Sequence, residues 1–436
     1  MPSIALYTLG CKVAQYETQA IAECAERRGF TVRPFEEVCD AYVINTCTVT
    51  AESDRKSRQM IRRAVGRNPQ AIVAVVGCYS QTSPAQVSAI DGVDIVLGTP
   101  DKLTVIDRIL DRLHTPQPTV DVSVTDVLSA PFEPMTITRA PRTRAYIKIE
   151  DGCECRCTYC EIPNARGAVR SKAREDVLAE VKTLVAGGTR EIVLTGIETA
   201  SYGAEWGDGY RLIDLLEAIA TLALPVRIRL GSLSPEVMTE DFARRIGRLD
   251  CVVPHFHLSM QSGSDAVLRR MRRRYSRAMA LAALARAREA MPRVQFTTDL
   301  MVGFPGESDA DFVDTCSLVR EGGFLDAHVF AYSRRPGTLA AAMEDQVPET
   351  VKRERSAALI AEKNRVRDRI LSAIVAEGEP LSVIPEVRTE DGYTAHADTF
   401  VEVRVRTPQH TKDLHGEPIL VRPTGHASGV LLTELI

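Results

Sequence analysis

Four of the eleven cysteines fall within eight positions, in the stretch IEDGCECRCTYCEIPNARG (149–167): Cys153, Cys155, Cys157 and Cys160. They follow the strand-like run RAYIKI and so sit at a strand's carboxyl end, where parallel βα folds place their chemistry. A structural zinc ion wants four ligands around it, usually as two separated pairs. No partner pair lies nearby, and adjacent thiols do not readily surround one ion. Close thiolates suit an iron–sulfur cluster better, because each binds a different iron of a compact cube. Structural zinc ligands, or loop thiols without a ligand, stand as the alternatives.

A second set is dispersed. Cys11 follows SIALYTLG, Cys47 follows DAYVINT and Cys78 follows AIVAVVG, each just past the carboxyl end of a predicted parallel strand and one βαβ unit from the next. Neighbouring strands lie about 5 Å apart, so three such ends can converge on one crevice. Three convergent thiolates again suggest an iron–sulfur cluster. Cys24, Cys39, Cys251 and Cys316 fall outside both sets and read as small buried hydrophobes. None of the histidines forms a recognisable pair with a serine or cysteine nucleophile, so proton-transfer catalysis is not indicated and no catalytic side chain is nominated. His255 and His257 alternate along a strand and read as packing residues.

The elements that must position these thiols show in the hydrophobic runs. Residues 1–113 alternate strand-like stretches (SIALYT, DAYVINT, AIVAVVG, VDIVLG) with helix-like ones, which predicts a doubly wound parallel α/β domain. Residues 114–143, rich in Pro, Thr and Ser, predict a linker with an edge strand. From 144 to 372 six further strand-like runs alternate with helices, predicting a barrel-like (β/α)6 sheet closed by a long charged helix. Residues 373–436 hold five short alternating runs, as expected of a small antiparallel β-barrel.

At 436 residues the chain is too long for one ordinary core, in keeping with that division. The formal charge of −4 gives no global pull on nucleic acid, so any such binding must use local patches. No run of eighteen apolar residues is present, hence no membrane span is expected. The first residues lack the layout of a signal peptide, which points to a reducing cytoplasmic location where cysteines serve as ligands or core.

The spacing Cys153-x3-Cys157-x2-Cys160 resembles the signature of the radical S-adenosylmethionine (SAM) enzymes. That resemblance implies three cysteines on a [4Fe–4S] cluster with one iron left open for the amino and carboxylate groups of SAM. Cys155 then becomes surplus, since a fourth thiolate would block the cofactor. It also implies a SAM pocket at the strand ends: Tyr159 beside the adenine, Gly196 and Glu198 after the second strand, Ser232 and Ser234 after the third, Gln261 after the fourth, Gly303 and Gly306 after the fifth. Ordinary loop glycines and a packing tyrosine are the bland reading of the same residues.

With Cys11, Cys47 and Cys78 added, the layout is similar to the methylthiotransferases along essentially the whole chain. That implies a cysteine-bearing N-terminal domain, a radical SAM partial (β/α)6 barrel and a C-terminal TRAM barrel. It also implies two [4Fe–4S] clusters and two SAM molecules, one giving a methyl group and the other a radical, so that a C–S–CH3 bond forms on the substrate. TLGCKVAQYET, NTCTVTAESDRKSRQMIRR, VVGCYSQ and DGCECRCTYCEIPNARG resemble most the branch acting on C2 of N6-threonylcarbamoyladenosine at position 37 of tRNA. Isopentenyl-adenosine in tRNA, or an aspartate of a ribosomal protein, is the alternative substrate. Glu161, Asn164 and Glu198 depart from that branch, which usually has an apolar residue, an aromatic and a histidine there. The implied partners are the tRNA anticodon loop and an external electron donor. The basic runs 54–63, 139–148 and 269–277, with Arg404, Arg406, Lys412 and Arg422 in the last barrel, are candidate phosphate contacts or solvated faces.

Overall fold

The computed structural model describes residues 1–115, 117–140, 142–408 and 412–436; the predicted linker and basic run 139–148 thus touch Pro116 and Pro141, which lie outside the described residues. Ala41–Thr46 and Ile72–Gly77 are buried at every position, as strands covered on both faces must be. They lie central in a six-stranded parallel sheet in the order Thr31–Arg33, Ser3–Thr8, Ala41–Thr46, Ile72–Gly77, Ile95–Leu97, Asp121–Ser123. Helices Lys12–Arg27 and Val105–His114 cover one face through Ile21, Ala25, Ile106 and Ile109, and Ala51–Arg67 covers the other through Met60, Ile61 and Ala64. Four of these strands are predicted as full runs. Asp121–Ser123 supplies the edge strand expected in the linker, and Thr31–Arg33 is an additional three-residue edge. Strand order reverses between Ser3–Thr8 and Ala41–Thr46, which creates a crevice beyond their carboxyl ends.

The central part is a partial (β/α)6 barrel. Its six parallel strands follow chain order: Ala145–Lys148, Glu191–Thr195, Arg227–Leu230 continued as Ser232–Leu233, His255–Gln261, Gln295–Val302 and Asp326–Ala331. Among the described residues no pairing joins the first strand to the sixth, so the barrel is open. Helix Lys12–Arg27 serves two cores. Ile21 and Ala25 face the first sheet, while Tyr16 and Ala20 pack with Met135, Ile137 and the central strands.

The last five strands, Leu381–Thr389, Gly392–Ala397, Glu402–Arg406, Ile419–Ala427 and Val430–Leu435, close into a barrel. Four seams are antiparallel as expected; Glu402–Arg406 runs parallel to Val430–Leu435. The geometry requires this, because a closed ring with an odd number of strands cannot alternate direction all the way round. This barrel docks on the amino ends of the central strands, opposite the cysteine loop. There Glu191 binds Arg144, Arg227 and Arg229, and Arg229 donates on to the Asp398 carbonyl at 3.0 Å. Burial alone would raise the Glu191 carboxyl, but the three guanidiniums, Arg229 foremost, hold it down at about 2. No described helix is long and apolar enough to cross a membrane.

Candidate metal centre

The contiguous cysteines hang from the first central strand on a loop pinned at both ends. Glu150–Asp151 pairs antiparallel with Arg170–Ser171, and the Cys153 amide donates to the Gly167 carbonyl at 3.0 Å. Gly152, at φ +89, makes the turn into Cys153, and a Cβ there would overlap the Ala168 carbonyl. Within the loop the Cys160 amide donates to the Cys157 carbonyl at 3.0 Å, and Cys155 turns beside Cys153, its amide 3.4 Å from that sulfur. The hydrogen bond with Cys153 lowers the Cys155 thiol to about 6, whereas burial pushes Cys160 up to about 12. Arg273 donates from Nη1 to the Cys157 sulfur at 3.4 Å.

The dispersed cysteines meet in the crevice at the strand-order reversal. Cys11 leaves Ser3–Thr8, Cys47 leaves Ala41–Thr46, and Cys78 leaves the adjacent Ile72–Gly77. Gly10, at φ +108, brings its backbone so close that a Cβ would lie 2.9 Å from Cys47 Cβ and 3.0 Å from its Sγ. Burial raises the Cys47 thiol to about 11, and Cys78 and Cys11 are near enough to raise it further by their charge. Cys47 and Cys78 are buried, whereas Cys11 opens to solvent at the crevice mouth. Among the described residues no three Cys, His, Asp or Glu side chains gather tightly enough for a single ion. Cube ligands bind different irons and need no such crowding. Cys11, Cys47 and Cys78 on one side, and Cys153, Cys157 and Cys160 on the other with Cys155 to spare, are donor sets without an imidazole that fit an iron–sulfur cluster with one iron uncovered. Raised thiols must shed their protons on ligation, so loading favours higher pH.

Two arginines join the sets. Arg166, on the short helix Ile162–Arg166 just after the loop, donates from Nε to Cys78 Sγ at 3.3 Å and from Nη1 to Glu17 at 2.6 Å and Asp151 at 3.1 Å. Lys102 and Lys148 also bind Glu17, at 2.8 and 3.1 Å. Arg335, in the loop after the sixth central strand, bonds the Thr48 carbonyl beside Cys47 and reaches Asp54 at 3.4 Å. Its Nε lies 3.9 Å from Glu161, the residue after Cys160. Residues beside the two cysteine sets are thereby tied together. Sequence reading passes over these bridges. Arg166 is visible beside the loop, but its partners stand far away in the chain.

The other nominated residues divide. Gly196 fits tightly, a Cβ meeting Glu150 Oε2 at 2.5 Å, and the Glu198 amide donates to that same oxygen at 2.8 Å. Burial lifts the Glu198 carboxyl to about 7, and its buried Oε1 has no hydrogen-bond partner among the described residues. Gln261 ends its strand at φ +60, also with a buried, unpartnered Oε1. These orphaned acceptors suit a ligand bearing N–H and O–H groups. Ser232 opens the short strand Ser232–Leu233, and Ser234 bonds Glu236 at 2.7 Å. Tyr159 packs edge-on against Phe304 at 6.3 Å. Gly303 and Gly306 turn their bare sides to Lys352 and Arg270. Asn164 donates to Glu161 at 3.1 Å. His255 and His257 bond Thr297 at 3.0 and 2.9 Å, and His255 stacks on Phe400 as a packing residue does, although its buried Nδ1 has no hydrogen-bond partner among the described residues. Of the four supernumerary cysteines Cys39 alone is fully buried; Cys24, Cys251 and Cys316 pack partly covered at core margins.

The basic runs change on folding. Lys148 and Arg273 are drawn inward to Glu17 and Cys157, and Arg277 pairs with Glu321. Lys56, Arg62, Arg63, Arg142, Arg269 and Arg272 stay exposed. So do Arg404 and Arg406, which share the outer face of one barrel strand, and Arg422, which joins them across Glu434.

A family model described as "Radical SAM superfamily" matches residues 147–319, and one described as "Uncharacterized protein family UPF0004" matches 3–98. A Bacillus subtilis (strain 168) protein called "Threonylcarbamoyladenosine tRNA methylthiotransferase MtaB" is 41% identical over 430 residues, 97% of this chain and 94% of that one. A protein of the same description from Thermotoga maritima is 36% identical over 92% of this chain and 90% of its own. Among solved structures, the radical SAM methyltransferase TsrM from Kitasatospora setae superposes with a TM-score of 0.59 at 15% identity, covering 78% of this chain and 77% of that one. At that identity the likeness speaks for the fold.

Proposed function

The chain belongs to the methylthiotransferase family of radical SAM enzymes, and from that premise we propose that it transfers a methylthio group to C2 of N6-threonylcarbamoyladenosine at position 37 of tRNA. What supports this reading is that Arg166 and Arg335 tie residues beside one cysteine set to residues beside the other, in a chain similar over nearly its whole length to relatives described by that activity.

Members of this family use SAM and [4Fe–4S] clusters. In the reading offered here Cys153, Cys157 and Cys160 hold one cluster, and Cys11, Cys47 and Cys78 hold a second. Bound there, the clusters supply the electron for reductive SAM cleavage and the site for sulfur delivery. The chain's own residues do the positioning. The pinned loop fixes three thiolates at a strand end. Arg273 and Arg166 each orient one sulfur, and the buried ion cluster around Glu17 holds Arg166 in place. Glu198 and Gln261 offer their free oxygens to SAM, with Tyr159, Gly196, Ser232, Ser234, Gly303 and Gly306 shaping the remaining pocket.

Residues 1–113, 144–372 and 373–436 act as N-terminal, radical and TRAM units around the linker 114–143. The exposed arginines of the last barrel contact the anticodon-loop phosphates. An external electron donor and a cytoplasmic setting complete the proposal.

Nucleoside mass spectrometry of tRNA from a strain lacking the gene tests it. The methylthio group should vanish from threonylcarbamoyladenosine and persist on isopentenyl-adenosine. An unchanged profile would exclude the proposed substrate.

A further inference from the structure

We propose that Arg166 sets the reduction potential of the cluster held by Cys11, Cys47 and Cys78, and that Glu17 is the counter-charge that moderates it. This rests on reading those cysteines as ligands of a second cluster.

The geometry leaves Arg166 one orientation. Its two terminal nitrogens grip the Glu17 carboxylate, Nη1 at 2.6 Å and Nη2 at 3.2 Å, as a planar fork does. The remaining Nε edge then points at Cys78 Sγ, 3.3 Å away. Glu17 cannot swing aside, because Lys102 and Lys148 hold the same carboxylate. Asp151 is likewise fixed by Lys148 at 3.2 Å and by the Gly152 amide at 3.0 Å. The side chains of Arg166, Glu17, Lys102 and Lys148 are all between 0 and 1% exposed.

One-electron reduction takes a [4Fe–4S] cluster from the 2+ to the 1+ state, and part of the added negative charge resides on the ligating sulfurs. A donor N–H and a cation against one sulfur stabilise the reduced state, and burial makes that interaction strong. An adjacent carboxylate opposes it. The other set differs on this point. Arg273 bonds Cys157, but among the described residues its other hydrogen bonds go to the Tyr275 hydroxyl and the Ser259 carbonyl, neither of them an anion. The two clusters thus carry the same kind of donor, moderated by a bonded carboxylate in one case only.

The test uses the full chain with Cys153→Ala, Cys157→Ala and Cys160→Ala, so that only the second cluster loads. The protein is reconstituted anaerobically and titrated with dithionite in mediator dyes, and the reduced cluster is followed by electron paramagnetic resonance. Arg166→Met should lower the reduction equilibrium constant at least tenfold, a fall of about 59 mV for one electron. Glu17→Gln should raise it. Both substitutions loosen the same network, so only an electrostatic role gives opposite signs. Shifts in the same direction, or none, overturn the inference while leaving the second cluster in place. Should Arg166→Met shed its cluster, Glu17→Gln alone decides: a rise supports the role and its absence refutes it. A parent chain that binds no cluster after the three substitutions removes the second-cluster reading and this inference with it.

Discussion

Cys153, Cys157 and Cys160 come from one loop of eight residues; Cys11, Cys47 and Cys78 come from three strand ends of a folded sheet. The first set is fastened locally, by the two-stranded pairing of Glu150–Asp151 with Arg170–Ser171 and by hydrogen bonds inside the loop. The second exists only once Ser3–Thr8, Ala41–Thr46 and Ile72–Gly77 have paired, and contacts through Glu17 and Thr48 then tie that sheet to Arg166 and Arg335. A contiguous loop needs little chain closure to gather its ligands. A dispersed triad relies on long-range pairing already made. The loop is therefore suited to hold its cluster with few long-range contacts, while the second set depends on the folded N-terminal sheet.

The largest expected effect separates the sets by chemistry. Cys157→Ala should take 5′-deoxyadenosine release to background in an anaerobic assay with SAM and reductant. Cys47→Ala should preserve that release and abolish the methylthio product, both read by mass spectrometry. Loss of SAM cleavage in both variants would mean that the sets do not work independently.

Next come the glycines that admit each set. Gly152→Ala forces a Cβ into the Ala168 carbonyl at positive φ and should destabilise the loop by about 3 kcal/mol or more. Gly10→Ala presses on Cys47 at 2.9 Å and should cost about 1–3 kcal/mol. Thermal unfolding gives the size. Cluster-specific Mössbauer spectra should show the damage confined to the loop set in the first case and to the dispersed set in the second.

A junction remote from both sets is the control. Glu191 sits at about 2 in the folded chain against an ordinary 4.5. Its contribution is fully present above about pH 4.5 and is lost as pH falls towards 2, an effect of about 3 kcal/mol. Glu191→Gln should accelerate hydrogen exchange in Leu381–Thr389 at neutral pH and leave iron content unchanged. Iron loss would show that the barrel seam and the metal sites are coupled. Smallest for the clusters is the outer barrel face. Replacing Arg404, Arg406 and Arg422 with Gln should flatten the salt dependence of tRNA affinity by about two in log–log slope, at unchanged SAM cleavage. An unaltered slope would place the phosphate contacts elsewhere.

Much of this contrast is legible in the amino-acid sequence, for a physical reason. Apolar runs such as AIVAVVG announce buried parallel strands, and their ends locate Cys11, Cys47 and Cys78 without further information. The Gly-Cys pairs Gly10-Cys11, Gly77-Cys78 and Gly152-Cys153, each with its glycine at positive φ, were a further signal available in the text. What joins the sets was not legible. Arg166 meets Glu17 from 149 positions away, and Arg335 meets Thr48 from 287. Neither periodicity nor spacing records a contact across a docking surface. Basic runs mislead for the same cause. Lys148 and Arg273 look like surface charge until folding places them against Glu17 and Cys157. The three-residue edge strand Thr31–Arg33 was too short to stand out from a turn.

The most direct measurement is iron and sulfide content of the anaerobically reconstituted chain, alongside two variants that lack either Cys153, Cys157 and Cys160 or Cys11, Cys47 and Cys78. Two independent cubes predict about eight of each element in the parent and about four in both variants. About four in the parent, or none in either variant, would contradict the account.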